Sequence, residues 1–303
     1  MRRLLSALFA LAIFYAVASV AAGFLLPSLL LHPSAPARTP MERDAVLARL
    51  AGREGRWTEH ALTGGGGAAL DLFWLHRPHS KGVVITLHGF GDDAWGTAGR
   101  LMDLPGWDGA VFTFRGRDVH PDIPCTLGAH EQWDVVSVVR FLEASGVQRN
   151  RIVIAAASQG AGVALLALSD LEHEGGALGG ALLESPFMDL RDAARSDLRG
   201  TLGGAEFLAR PAECVALWRA GRIAGFDPDA VSPLKAARGL RTPLALLAGD
   251  ADTITPLSGV QAIAAASGVP LTVVPGASHL EAGRQVPGGW RAWADERLHA
   301  WGF

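Results

Sequence analysis

The chain has 303 residues, of which 49% are hydrophobic and 19% charged, so it can bury a large core and differs from disordered chains. Its 27 basic and 30 acidic residues give a formal net charge of −3, which argues against a nucleic-acid partner, because such binding rests on an excess of basic side chains. The two cysteines, Cys125 and Cys214, form no CxxC pair and no disulfide framework, and they predict no structural metal site. The sequence leaves open whether these two thiols pair with each other.

An apolar N-terminal segment is the first feature along the chain. Residues 4–31 contain no charged side chain and outnumber the about 20 residues that a helix needs to cross a bilayer. We therefore predict a transmembrane anchor over residues 1–31, with a cleaved signal peptide as the alternative, since residues 20–22 resemble a small-residue cleavage site. Arg2 and Arg3 favour a cytoplasmic N-terminus and hence an outward domain on a single-pass protein of a bacterial inner membrane, although two more arginines follow the segment closely.

A linker and a lead-in helix are predicted over residues 32–56. Pro33, Pro36 and Pro40 give the linker a stiff composition that would hold the soluble part off the membrane. The remaining residues, 57–303, have a length that α/β folds commonly form as one domain.

A run of four glycines at 64–67 lies between two stretches of alternating apolar residues, 57–62 and 69–75. This arrangement predicts a β-hairpin loop. A phosphate-binding loop would need glycines in fixed register between a strand and a helix, whereas a second alternating stretch, not a helical pattern, follows this run.

Short apolar runs and helical patterns alternate through the rest of the chain. Such alternation is typical of a parallel sheet covered by helices on both faces, so we predict an α/β fold with a mostly parallel sheet. The active site of such a sheet lies beyond the carboxyl ends of its strands. The predicted strands are 83–87, 110–114, 152–156, 181–183, 244–248 and 271–274, and the predicted helices are 131–145, 159–171, 258–266 and 288–300.

Ser158 follows one of these strands and precedes a helical pattern. A nucleophile elbow needs small residues two positions before and two after the serine, so that the backbone can turn sharply from strand to helix. Ala156 and Gly160 meet this requirement, although alanine stands where the GxSxG motif has its first glycine. The pattern favours a nucleophilic serine, and an ordinary serine near a helix N-terminus is the alternative.

Four strand ends together resemble the α/β-hydrolase superfamily. They carry HGFG at 88–91, the elbow at 156–160, GDADTITP at 249–256 and GASH at 276–279. FRG at 114–116 and ESPF at 184–187 are similar to membrane-anchored serine hydrolases with a small lid, in the esterase-like or serine-aminopeptidase-like branch. The resemblance extends from about residue 57 to the C-terminus, and it implies the α/β-hydrolase fold with no cofactor and no metal.

The resemblance also implies roles for individual residues. Ser158 is the expected nucleophile, His279 the base and Asp252 the acid, in the order Ser, Asp, His along the chain. The backbone amides of Phe90 and Gln159 are the expected oxyanion hole.

Two other carboxylates at strand ends, Asp250 and Glu184, are expected to have structural roles. Asp250 follows Gly249 closely and is placed to accept backbone amides in a turn, while the family pattern selects Asp252 as the acid.

Residues 189–232 leave the strand and helix alternation, and we predict that they form a small lid over the strand ends, with a modest pocket beneath it. The predicted activity is hydrolysis of an ester or thioester of a small or medium acyl group, lipophilic substrates included, through an acyl-enzyme. An aminopeptidase-like amidase and a catalytically idle, anchored binding module are the alternatives.

Overall fold

One sheet of eight strands forms the centre of the protein in the computed structural model, which describes residues 2–34, 36, 38–117 and 122–303. The predicted strands are confirmed to within two residues, because strands buried on both faces leave near-continuous apolar runs in the sequence. The strands are β1 (Arg56–Thr63), β2 (Ala69–His76), β3 (Val83–Leu87), β4 (Asp108–Phe112), β5 (Ile152–Ala157), β6 (Gly180–Glu184), β7 (Leu244–Gly249) and β8 (Leu271–Val274).

The strand order is β1-β2-β4-β3-β5-β6-β7-β8. β1 and β2 form the predicted antiparallel hairpin across the glycine run, β2 is antiparallel to β4, and the other pairs are parallel. β4 lies on one side of β3, and β5, the next strand along the chain, lies on the other side. The strand order therefore reverses between β3 and β5, which is where ligand sites form in such sheets.

Helices cover both faces of the sheet. α6 and α7 contribute to the core on one face, and α3, α5 and α13 contribute to the core on the other. Full burial of each Val, Leu or Ile side chain in these cores stabilises the fold by roughly 1.5 to 3 kcal/mol. The helices are α1 (Arg2–Leu25), α2 (Pro27–Leu31), α3 (Pro40–Ala51), α4 (Ala94–Ala98), α5 (Arg100–Asp103), α6 (Glu131–Ala144), α7 (Gln159–Gly175), α8 (Leu190–Leu202), α9 (Arg210–Ala224), α10 (Pro233–Ala236), α11 (Leu257–Ser267), α12 (Ala282–Gln285) and α13 (Gly289–Ala300), with 3₁₀ turns at Gly65–Gly67, Arg149–Arg151 and Gly203–Leu208.

The N-terminal segment forms two helices that meet at Pro27, which cannot donate a backbone hydrogen bond within a continuous helix. In the part of the chain that the structure describes, residues 2–31 form the one helical segment that is long and apolar enough to cross a membrane, with a mean hydropathy of 2.3. Most of its side chains are exposed, and a signal sequence would pass the same test.

The end of α2 and the segment after it contact the domain. Leu31 and Pro33 are buried, and the Arg38 guanidinium donates to both oxygens of Asp93, with an Nε to Oδ2 distance of 2.8 Å. Apolar burial and an ion pair therefore hold this segment against the domain. Ala35 and Ala37 of the predicted linker lie outside the described residues. α3 then begins with a capping box between Thr39 and Glu42.

Between β6 and β7 the chain forms α8, the 3₁₀ turn Gly203–Leu208 and α9. We call these three elements together the lid. α1 and α2 both pack against α9. The two cysteines are free thiols, with Cys125 buried and Cys214 exposed.

Candidate active site

Ser158 lies in a strained turn between β5 and α7. Its φ of 52° is unusual for a residue with a side chain, and such strain is typical of functional positions. Gly160 makes the turn possible, since a Cβ there would lie 2.5 Å from the carbonyl oxygen of Leu87, at the end of β3. The Ser158 amide donates to the Glu184 carbonyl oxygen at 2.9 Å, which ties the turn to β6. The small residue at 160 thus lets the start of α7 approach β3 closely.

The structure brings Ser158, His279 and Asp252 together from three separate strand ends. His279 Nε2 is 3.0 Å from Ser158 Oγ, and His279 Nδ1 is 2.8 Å from Asp252 Oδ2. The three side chains form one line of hydrogen bonds. This geometry allows the imidazole to accept a proton from the serine hydroxyl while the carboxylate holds the proton on Nδ1.

The Asp252 carboxylate has a fixed orientation. Its Oδ1 accepts the backbone amides of Ile254 and Thr255 at 2.9 and 2.8 Å, and its Oδ2 accepts the Thr255 hydroxyl at 2.8 Å. Burial alone would raise the pKa of Asp252, but the hydrogen bonds from His279 and Thr255 outweigh it and hold the pKa below its usual value. The Asp252 carboxyl group is therefore ionised at neutral pH and faces the His279 imidazole with one oxygen.

Asp250 occupies a different position in the same loop. It is exposed, and its Oδ1 accepts the backbone amide of Gly276 at 2.6 Å. This bond links the loop after β7 to the turn that precedes His279.

The loop after β3 lies directly against the serine. A Cβ on Gly89 would be 3.5 Å from Ser158 Cβ, which is ordinary van der Waals contact and places this turn next to the serine. Phe90 follows in this loop, and Gln159 is the first residue of α7, so the Gln159 amide has no partner within its own helix. The two residues predicted for the oxyanion hole therefore flank Ser158 on separate segments.

Arg117 links these two segments, and the sequence analysis did not identify it. Its buried guanidinium donates from Nη2 to the Phe90 carbonyl oxygen at 2.7 Å and to Gln159 Oε1 at 3.0 Å. Arg117 lies one residue after the FRG motif. Its partners are distant in the sequence, so the residues around Arg117 contain no pattern that could have predicted its role.

His88, the first residue of the HGFG turn, is also fully buried. Its Nδ1 donates to the Gly89 carbonyl oxygen at 2.8 Å, and its Nε2 accepts the Phe114 amide at 3.0 Å. Burial, helped by the positive charge of Arg117, lowers the pKa of His88 to about 3. A neutral imidazole thus joins the ends of β3 and β4.

Both carboxylate oxygens of Glu184 accept hydrogen bonds. Its Oε1 accepts the Gly283 amide at 2.7 Å, and its Oε2 accepts the Arg100 guanidinium. These contacts anchor the segment that follows His279.

An apolar pocket of about 260 Å³ opens beside Ser158. Its polar lining residues, within the described part of the chain, are Ser158, Gln159, Glu213 and Thr255. Most of the apolar ones come from the lid and from the N-terminal segment, and the rest come from loops at the strand ends; they include Phe90, Leu127, Phe187, Leu190, Leu198, Leu217, Ile254, Leu26 and Leu30. Among the described residues, no group of three or more His, Cys, Asp or Glu side chains is placed to hold a metal ion.

No family model and no curated protein matches this sequence. The structure is similar to the esterase Pf2001 of Pyrococcus furiosus, with 19% identity, coverage of 90% of this chain and 98% of that one, and a TM-score of 0.66. It is also similar to an esterase of the bacterial hormone-sensitive lipase family, with 20% identity, coverage of 95% and 97%, and a TM-score of 0.58. A mutant of the esterase E40 matches at 21% identity, with coverage of 88% and 92% and a TM-score of 0.57. These proteins share the α/β-hydrolase fold, and this chain has that fold.

Proposed function

We propose that this protein is a serine hydrolase that cleaves esters or thioesters of small or medium acyl groups. The observation that carries the proposal is the line of hydrogen bonds from Ser158 through His279 to Asp252, beside an apolar pocket. The three solved structures reported above are named as esterases, which supports ester cleavage as the reaction.

The first half of the reaction forms an acyl-enzyme on Ser158. The Ser158 Oγ bonds to the substrate carbonyl carbon while its proton passes to His279 Nε2. The bond between that carbon and the alcohol or thiol then breaks, and the leaving group takes the proton from His279. Asp252 stabilises the imidazolium formed between these two steps.

Water completes the reaction by the same route in reverse. It gives one proton to His279, its oxygen bonds to the acyl carbon, and the free acid leaves as the proton returns to Ser158 Oγ. The amides of Phe90 and Gln159 would stabilise the negative oxygen in both halves, by about 3 kcal/mol for each donor.

A fluorophosphonate probe tests the proposal, because it reacts with activated serines. We expect covalent labelling of the full-length protein, with loss of labelling and of ester hydrolysis in Ser158→Ala and His279→Ala. Ser185→Ala is the matched control, since Ser185 is a buried serine with a φ of 52° at the adjacent strand end. Labelling of folded Ser158→Ala protein would refute the mechanism, and an unlabelled wild-type protein would favour the idle binding module.

An aminopeptidase-like amidase is the second candidate, and Glu213 favours it. This buried carboxyl group lines the pocket, and its Oε1 lies 3.5 Å from Arg195 Nε. An acidic group near the nucleophile could bind the amino group of an aminoacyl substrate. Burial raises the pKa of Glu213, however, which opposes the charged form that such binding needs. Faster turnover of aminoacyl amides than of acyl esters, lost in Glu213→Gln, would select the amidase.

We also assign residues 1–31 to a membrane anchor, 32–56 to the connecting segment and 57–303 to the hydrolase domain with its lid at 189–232. The exposed apolar surface of α1 supports a single-pass protein, which we place in a bacterial inner membrane with its domain outward.

A further inference from the structure

The end of the apolar N-terminal segment is built into the domain. Leu31 has 1% of its surface exposed, and its carbonyl oxygen accepts the Cys125 amide at 2.8 Å. Gly23 lies so close to α9 that a Cβ there would be 2.5 Å from Val215 Cβ. The segment thus makes close backbone contact with the lid as well as with the domain.

The same segment forms part of the pocket wall next to Ser158. Leu26, Leu29 and Leu30 line the pocket together with apolar residues of α8 and α9. An apolar cavity with a nucleophile in its wall suits an acyl chain, whose carbonyl carbon would meet Ser158 Oγ.

Farther toward the N-terminus, the segment exposes large apolar side chains that water solvates poorly. Phe9 and Phe14 are 69% and 70% exposed, and α1 is long enough to enter a bilayer. The lid carries exposed apolar side chains as well, namely Leu202, Phe207, Leu208, Trp218 and Ile223.

A contact midway along α1 indicates how deep the lid lies. The Tyr15 hydroxyl donates to the carbonyl oxygen of Leu208 at 2.6 Å. Only about 20 Å of helix separate Arg2 from Tyr15, whereas the hydrocarbon core of a bilayer is about 30 Å thick. If α1 spans the core from Arg2 at one edge, Tyr15 and the lid around Leu208 therefore lie about 10 Å inside the opposite edge of the hydrocarbon.

We infer that the pocket takes the acyl chain of an ester dissolved in the bilayer, and that residues 26–31 and the lid form its passage from the membrane to Ser158. This inference rests on the proposed function and names the source of its substrate. The N-terminal segment then has two roles, since it anchors the protein and forms part of the acyl-binding wall.

The first experiment tests the pocket wall in the full-length protein in detergent. The ratio of kcat/KM for octanoyl and acetyl nitrophenyl esters is measured for Leu30→Trp, which narrows the pocket, and Leu30→Ala, which widens it. We expect the ratio to fall at least about tenfold in the first variant and to rise in the second, because contacts of single methylene groups change specificity by such factors. Leu25→Trp is the matched control, since Leu25 is 74% exposed and lies outside the pocket.

The second experiment tests the passage in the full-length protein reconstituted into phosphatidylcholine vesicles. The substrates are dioctanoylglycerol held in the vesicles and the octanoyl nitrophenyl ester added in solution. Phe207→Asp places a charge on the exposed lid, and we expect it to slow vesicle-held substrate at least about tenfold more than the soluble ester, because a carboxylate resists entry into the membrane surface. Met102→Asp, a change of another exposed apolar residue outside the lid, should slow neither substrate selectively.

The outcomes separate this inference from the proposed function. If the fluorophosphonate probe labels Ser158 and acetyl ester is cleaved, but the Leu30 variants keep the wild-type ratio, the N-terminal segment is not part of the acyl site. If Phe207→Asp slows both substrates equally, the ester does not enter from the bilayer. If neither labelling nor acetyl ester cleavage occurs, the proposed function itself is wrong. If the Leu30→Trp protein does not fold, the kcat/KM ratio of Leu30→Ala decides whether the N-terminal segment is part of the acyl site.

Discussion

Replacing Asp252 by asparagine tests which carboxylate serves His279. In the native loop, the backbone amides of Ile254 and Thr255 both donate to Asp252 Oδ1. An asparagine oxygen would take the same position, because only oxygen accepts these two amides. The asparagine NH₂ group would then point at His279 Nδ1, where the carboxylate oxygen now lies at 2.8 Å.

This reversal changes the imidazole tautomer. Facing a donor, His279 Nδ1 must act as an acceptor, so the proton moves to Nε2, which faces Ser158 Oγ at 3.0 Å. A protonated Nε2 accepts no proton from the serine. We expect kcat to fall by about 10⁴, which corresponds to about 5 kcal/mol of lost transition-state stabilisation. Changes in the hydrogen bonds around the side chain should cost about 1 to 3 kcal/mol of stability.

Asp250→Asn is the matched control. Its oxygen still accepts the Gly276 amide, so we expect turnover within about twofold of wild type and a similar Tm. Both variants are assayed with one activated acetyl ester and with thermal melts. Loss of activity in a stable Asp250→Asn protein, with activity kept in Asp252→Asn, would show that the acid has been assigned to the wrong residue.

Three further predictions concern stability and localisation. The pKa of His88 is about 3 in the folded state and about 6.5 in the unfolded state, so its contribution to the free energy of unfolding is fully present above pH 6.5 and is lost as pH falls. The loss by pH 5 should be about 2 kcal/mol, and urea melts of His88→Gln should not show this loss. An unchanged dependence of the unfolding free energy on pH in this variant would contradict the burial argument. Gly160→Ala should lower the free energy of unfolding by about 1 to 3 kcal/mol and slow fluorophosphonate labelling. Gly106→Ala is the control and should do neither, because a Cβ at residue 106 meets only ordinary van der Waals contacts. An equal Tm for the two variants would count against the close approach of α7 to β3. The full-length protein should remain with membranes through a carbonate wash, and a native N-terminus found near Gly23 by sequencing would mean that the segment is a cleaved signal instead.

The central strands could be predicted because a strand that is buried on both faces has a continuous run of apolar residues in the sequence. β4 begins two residues earlier than predicted, at Asp108, because its ladder with β3 extends over two residues that are not bulky and apolar. Strand pairing is a property of two segments together, and the apolar pattern of one segment does not reveal it.

The docking of the N-terminal segment could not be predicted for the same reason. Its composition indicates a membrane helix and a spacer, while the burial of Leu31 and Pro33 depends on surfaces far away in the chain. Arg117 shows the same limit, since its partners are residues of two distant turns. The roles of Ser158, Asp252 and His279 remain predictions, although the side chains of Ser158 and Asp252 each lie within hydrogen-bond distance of His279.

The backbone conformation of Ser158 has a thermodynamic consequence for the protein as a whole. A residue with a side chain held at a φ of 52° stores roughly 1 to 3 kcal/mol, and the rest of the fold must offset this strain. Glycine adopts such a conformation without the penalty, so a Ser158→Gly protein should melt at a higher temperature than the wild type. In this fold the position that would do the chemistry is then one where function and stability oppose each other, and selection for stability alone would remove the serine.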